Sequence, residues 1–191
     1  MGRIRYGLKN AHYAVVKTDN NGTLTYDTVK ELPGAKNMNL EAQGEELTEF
    51  ADDVIWHSET TNNGYSGTIE FEDTKEADDF LCAVNGWTKN EDGSVSEKSS
   101  DKSVEFAFLG QFSLAGEAEG ATGKRFKFFR CKASRPSVSG STNEASKTVA
   151  TNTVNITCLP RINDDKVKDW CVSSDACYNE WFNSVDKAAA A

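Results

Sequence analysis

The sequence predicts a mostly-β domain, a sandwich or partly closed barrel with a single α-helix on its flank. Three features point there. Apolar and polar residues alternate with a period of two along most of the chain, as in strands with one buried face. Turn-forming groups separate those runs, among them Asn20-Asn21-Gly22, Leu32-Pro33-Gly34 and Asp92-Gly93. One segment, residues 73–84, instead spaces Ala77, Phe80, Leu81 and Val84 as the apolar stripe of a helix.

In chain order, residues 6–8 and 11–17 make a first strand, bent at Lys9-Asn10. Asn20-Asn21-Gly22 tolerates the positive φ of a tight hairpin and returns the chain through residues 23–26. After the Leu32-Pro33-Gly34 turn comes a strand at 37–43. Residues 54–58 and 65–71 read as a pair joined by 60–64, with Tyr65, Gly67, Ile69 and Phe71 on one face. The helix takes Asp73 or Thr74 as its cap, Glu76 in its first turn and Gly86 as its stop. A polar stretch at 88–102 turns at Asp92-Gly93. Residues 104–112 follow as a strand with Val104, Phe106 and Phe108 inward, continued by Gly110 and Phe112. The small, Gly-rich residues 113–123 read as a loop. Residues 126–134 and 148–159 are the last long strands, with Val154, Ile156 and Cys158 sharing a face, and 167–172 adds an edge strand. Residues 178–182 form a short helix or an arm, and Ala188-Ala189-Ala190-Ala191 is a tail or a cloning scar. The expected organisation is one β-sandwich domain over residues 1–172 and a C-terminal arm over 173–191.

Composition narrows the function. A chain of 191 residues with 38% hydrophobic and 10% aromatic residues fits one packed domain and excludes a disordered one. The net charge of -9 is opposite in sign to that of a protein that coats nucleic acid; solubility accounts for it equally well, and so does a conduit that must not hold a passing polyanion. No run approaches the roughly 18 apolar residues of a membrane span, and no apolar leader follows Met1-Gly2-Arg3. Five unevenly spaced cysteines (Cys82, Cys131, Cys158, Cys171, Cys177) fit reduced thiols of a cytosolic product, Cys171 and Cys177 being the one local pair.

The residues offer little for catalysis. His12 and His57 have no partner at metal-ligand spacing and read as half-buried strand residues. The stretch from Gly116 to Arg125 imitates a phosphate-binding loop, but Ala118 stands where glycine is needed and Arg125 where Ser or Thr is needed, between strands instead of before a helix. The pairs Asp52-Asp53, Glu72-Asp73 and Asp78-Asp79 are sequence neighbours, which point apart in strands and do not face each other on helices. The sequons at Asn21 and Asn155 are chance matches without a leader. No enzymatic activity, cofactor or metal is expected.

Charge segregation is the informative feature. Residues 37–74 hold ten acids and no Lys or Arg; residues 120–143 hold six Lys or Arg and no acid. Either the two segments pair inside one domain, or they give the molecule opposite surfaces that attract copies head to tail into rings or filaments.

Several segments, in order, resemble one family. They are Ile4-Arg5-Tyr6-Gly7-Leu8-Lys9-Asn10-Ala11-His12-Tyr13-Ala14, Leu32-Pro33-Gly34-Ala35, Ala51-Asp52-Asp53-Val54 and Gly64-Tyr65-Ser66-Gly67-Thr68-Ile69-Glu70. Phe106-Ala107-Phe108-Leu109-Gly110, Gly123-Lys124-Arg125-Phe126 and the characteristic run from Cys131 to Thr142 (CKASRPSVSGST) follow, then Thr153-Val154-Asn155-Ile156-Thr157 and Pro160-Arg161. Together they are similar to the major tail protein of long, flexible, non-contractile bacteriophage tails. Residues 88–102 and 171–191 depart from the family pattern. The resemblance implies a tail-tube-like β-sandwich with a flanking helix, a structural virion protein and not an enzyme, assembled in the host cytoplasm. It implies partners too: copies of itself in hexameric rings stacked into a hollow tube, the tape measure protein, tail terminator and tail-tip proteins. DNA passes through the lumen without specific binding.

On that reading the acidic connection 44–53 reaches a neighbouring subunit, with Glu45, Glu46, Glu49 and Asp52 supplying charge and Leu47 and Phe50 apolar anchors. Lys124, Arg125, Lys127, Arg130 and Arg135 are its expected acceptors, and residues 1–5 and 172–191 are arms that order on stacking. The alternatives are a monomeric Ig-like module that binds a carbohydrate or cell surface through Trp56, Trp87, Trp170 and Trp181, and a tail terminator or head-decoration protein.

Overall fold

The computed structural model describes residues 3–18, 23–116, 122–138, 140, 142 and 151–186. The first strand, β1 (Ile4–Thr18), is followed by β2 (Leu24–Tyr26), β3 (Lys30–Glu31), β4 (Ala35–Gln43), β5 (Glu46–Ala51), β6 (Val54–Thr60) and β7 (Gly64–Glu72). Then come the helix α1 (Lys75–Asn85), a small hairpin of β8 (Thr88–Lys89) and β9 (Val95–Ser96), and the long strands β10 (Phe106–Ala115), β11 (Gly123–Ala133) and β12 (Thr151–Leu159). The short β13 (Lys168–Val172) comes last. The protein is mostly β, as the alternation predicts, with one helix among the described residues.

One antiparallel sheet runs β2-β1-β10-β11-β12-β7-β4. It curls until β1 approaches β4, but no ladder joins them and the barrel stays open. Strand β3 pairs with β1 at His12 and Tyr13, then leads through Leu32 into β4. Strand β11 is shared along one edge: Arg130 to Ala133 pair with β12, and Lys124 to Phe128 pair with β13. The bend expected at Lys9-Asn10 is a register shift between Lys9 and His12, with Asn10 in the left-handed region at φ 51°; Asn tolerates that conformation better than other non-glycine residues.

The inner face holds the main core. Tyr13, Ile69, Phe71, Phe106, Phe108, Val154, Ile156 and Cys158 are buried there, on the faces that period-2 reading assigns. Helix α1 closes one end of the curl. Thr74 Oγ1 accepts from the Ala77 N–H at 3.1 Å, and Gly86 at φ 71° returns its own N–H to Cys82. This cap pair fixes both ends, so that Phe80 meets the edges of Tyr13, Phe71 and Phe106 at ring separations of 4.9, 5.7 and 5.3 Å.

A second core lies on the outer face of the same sheet. Ala14, Ala107, Leu109, Phe129 and Cys171 are covered there by Trp181 and Val185. Residues 173–186, expected as an arm, therefore fold back on the domain. They do so as successive turns, not as a helix at 178–182: Tyr178 N bonds Asp175 O, Trp181 N bonds Tyr178 O and Asn183 N bonds Glu180 O. The apolar residues of β10 that point outward create the demand for this cover, since each fully buried apolar side chain supplies about 1.5–3 kcal/mol.

Three expectations on the strands change. Residues 113–115, expected as loop, continue β10. Residues 54–58 pair with β5 and not with 65–71, and the connection 44–53 is itself mostly strand. The Asn20-Asn21-Gly22 turn, residues 117–121 of the Gly-rich loop, residues 148–150 of the last long strand and the terminal alanines lie outside the described residues.

Candidate self-assembly surface

The two-stranded unit β5–β6 continues the β4–β7 pair outward as an arm. Backbone bonds carry the pairing across the junction: Asn63 N to Gln43 O at 2.9 Å, then Thr61 N to Glu45 O at 2.9 Å. The Thr61 hydroxyl also accepts from the Glu45 N–H at 2.8 Å. A Cβ on Gly44 would fall 2.0 Å from Thr61 O, so the close crossing at the root requires glycine. At the tip Asp52 and Asp53 take φ values of 52° and 61°, the two successive left-handed residues of a tight hairpin turn. Eight residues from root to tip at about 3.3 Å each extend the arm roughly 26 Å.

Large apolar side chains cover this arm without a core beneath them. Leu47, Phe50, Val54, Ile55 and Trp56 are 54%, 70%, 57%, 61% and 73% exposed. Phe50 sits opposite Ile55, and the pairing slips between Glu49 and Phe50, leaving Trp56 as the bulged residue. Carboxylates surround them. Glu46 accepts from the Ser58 hydroxyl at 3.5 Å and Glu59 lies 3.7 Å from His57. Glu45, Glu49, Asp52 and Asp53 have no ion-pair partner among the described residues. Alternation puts Phe50 and Ile55 on one face of the ribbon and Leu47 and Val54 on the other, and large apolar groups left exposed in this number mark contact surfaces.

The expected acceptors fare differently. Arg125 donates to Gln111 Oε1 at 3.1 Å and to the Tyr178 carbonyl, and its guanidinium lies 3.9 Å from the Tyr178 ring centroid and 4.5 Å from that of Phe182. Lys127 is buried, donates to Val185 O at 2.8 Å and lies over Trp181; burial pushes its ammonium below the usual lysine range. Arg130 forms a two-pronged pair with Glu105 at 2.7 and 2.8 Å, and Lys132 joins it at 3.3 Å. Hydrogen bonding to Arg130 holds the Glu105 carboxyl below its ordinary range. Arg125, Lys127 and Arg130 are therefore internal fastenings, not free acceptors. Alternation along β11 is the reason: Arg125 and Lys127 point to the outer face that residues 173–186 cover. Arg135 is exposed and pairs with Glu97 at 2.5 Å. Lys124 alone of the five points to the inner face, near the open rim, 5.1 Å from the Trp170 ring. The acidic and basic segments are thus not neutralised by each other; the basic one is held by Glu105, Glu97 and the C-terminal segment.

The remaining sites read as structure. His12 stacks on Phe182 at 4.2 Å with Nδ1 2.8 Å from Asn10 O. Asp79 pairs with Lys89 at 2.6 Å and Glu72 with Lys36 at 2.9 Å. Cys131 and Cys158 face each other across β11–β12, fully buried, with Sγ atoms 3.0 Å apart, and burial pushes the Cys131 thiol up. Among the described residues, no group of three or more His, Cys, Asp or Glu is placed to hold a metal ion. Sequence reasoning missed Val54 and Ile55, and named Trp56 only for the surface-binding alternative, because an apolar run at strand spacing reads as core. The one available signal was the adjoining Asp52-Asp53 turn, which sends the run back along an acidic partner strand.

No family model matches the chain, and no curated protein matches it.

Proposed function

We propose that the protein is a self-assembling structural subunit, in keeping with its resemblance to phage tail-tube proteins: copies join into hexameric rings that stack as the hollow tail of a virion. The observation that carries this reading is the arm at residues 45–60, which projects five large apolar side chains ringed by carboxylates. A monomer gains nothing from that exposure; a repeated contact with a neighbouring copy does. The contact is heterologous, arm to body, and closes into a hexameric ring when each copy is rotated by one sixth of a turn from the last. The partners follow from the same reading: tape measure protein inside the tube during assembly, terminator and tip proteins at its ends, and DNA passing without specific contacts. An overall charge of -9 suits that passage, because a wall bearing excess carboxylate repels phosphate. No catalytic step is assigned.

Replacement of Glu45, Glu46 and Glu49 by Lys tests this. All three side chains are exposed and outside both cores, so the fold survives while ring and tube formation, seen by negative-stain microscopy, is lost. Normal tubes from the triple variant refute the role of the arm. A strictly monomeric native protein that binds glycans favours the surface-binding alternative.

A further inference from the structure

Four cations gather at the open rim of the curled sheet, at the end opposite α1. Arg5 on β1 lies over the Phe112 ring of β10 at 4.7 Å. Phe112 is register partner of Lys124 on β11, whose ammonium is 5.1 Å from the Trp170 ring of β13. Lys168, two residues before Trp170, lies 4.2 Å from the Tyr65 ring centroid and donates to the Tyr65 hydroxyl. Arg3 adds its charge to the same neighbourhood: Lys124 is depressed below the ordinary lysine range first by desolvation and then by Arg5, Lys168 and Arg3. Among the described residues no carboxylate pairs with Arg5, Lys124 or Lys168. Arg5, Lys124 and Lys168 are thus like charges brought together with no carboxylate paired to them among the described residues, which is the pattern of a surface completed by a partner. The row Arg5–Phe112–Lys124–Trp170 crosses three strand spacings, roughly 14 Å, about the breadth of a two-stranded ribbon with its side chains.

We infer that this rim, with Arg5, Lys124 and Lys168 around Phe112 and Trp170, receives the β5–β6 arm of a second copy. The inference rests on the self-assembly reading and replaces the acceptor set read from the sequence. Chemistry selects the occupant. The arm carries unpaired carboxylates (Glu45, Glu49, Asp52, Asp53) beside Phe50 and Trp56, and the rim offers cations beside the exposed Trp170 ring and the half-buried Phe112 ring. Tyr65, against which Lys168 packs, follows directly on Gly64 at the arm's own root. Each copy therefore presents donor arm and acceptor rim at the same end of the curled sheet.

Two full-length charge-swap variants test this. One carries Arg5→Glu and Lys124→Glu on the rim; the other carries Glu45→Lys and Glu49→Lys on the arm. Each alone has like charges at the contact, so its self-association falls by roughly a hundredfold or more in sedimentation velocity. An equimolar mixture restores assembly, because each arm then meets a rim of opposite charge. Restoration also shows that both variants are folded. Carbodiimide cross-linking of the native protein, made from mixed light and heavy isotope preparations, should join arm carboxylates to Lys124 or Lys168 between copies. Native assembly that survives the rim variant unchanged, or cross-links that lead elsewhere, overturns the rim assignment and leaves self-assembly standing. A native chain that stays monomeric at every concentration overturns both. Retention of duplex DNA by the native monomer, lost in the rim variant, assigns the cations to phosphate and also overturns the inference.

Discussion

Removing the two largest apolar groups of the arm, Trp56→Ser together with Phe50→Ser, separates assembly from folding. Full burial of a large apolar side chain is worth about 1.5–3 kcal/mol. Phe50 and Trp56 are 70% and 73% exposed in the protomer, so a contact that covers them has most of that still to gain. Together they supply on the order of 4 kcal/mol per contact, about a thousandfold in association constant. The protomer loses little, because neither side chain belongs to either core. The cross-strand contact of Phe50 with Ile55 costs at most about 1 kcal/mol within the arm. The expected result in sedimentation velocity is a double variant that remains monomeric where the native protein associates, with matching far-UV circular dichroism and a melting temperature within a few degrees. Association of the double variant at the native concentration refutes the reasoning, whatever the fold does.

Other consequences can be measured on the monomer. A Cβ on Gly67 would lie 1.9 Å from Asn39 O; Gly67→Ala therefore pushes β4 off β7 and costs about 2–3 kcal/mol in chemical denaturation. Trp181→Ala opens the outer core and costs about 3–5 kcal/mol, so the melting temperature drops by on the order of 10 °C. An unchanged value shows that residues 173–186 do not cover the sheet. The Glu105–Arg130 pair gives a pH signature. Its carboxyl titrates lower in the folded protein than unfolded, so its contribution is complete above the ordinary glutamate value and disappears as pH falls through the lowered one. Glu105→Gln should then be less stable than native by about 1–3 kcal/mol at pH 7, with the difference vanishing near the acid end of the denaturation profile.

Much of the fold is written in local pattern. The Thr74 cap, the Gly86 stop and the stripe of Ala77, Phe80, Leu81 and Val84 define α1 from side chains within one segment. Inner-face strand residues such as Ile69, Phe71, Val154 and Ile156 follow period two. What pattern does not disclose is whether a second layer exists. Ala107, Leu109 and Phe129 occupy positions that one buried face leaves to solvent, and they are buried because Trp181 and Val185, far along the chain, return to cover them. The same event hides Lys127, whose Nζ reaches Val185 O 58 residues away. A basic run such as Lys124-Arg125-Phe126-Lys127 therefore looks like one charged surface in sequence and divides in space into an open rim and a closed seam. The arm failed in the opposite direction. Val54-Ile55-Trp56 has the composition of a core strand, and only its pairing with the acidic β5 places it outside the body.

Electron microscopy of the native chain at rising protein concentration tests self-assembly most directly. Six-fold rings with a central hole, stacking end to end as concentration increases, are the expected result. A homogeneous single-chain particle at every concentration, with the arm bare, contradicts it.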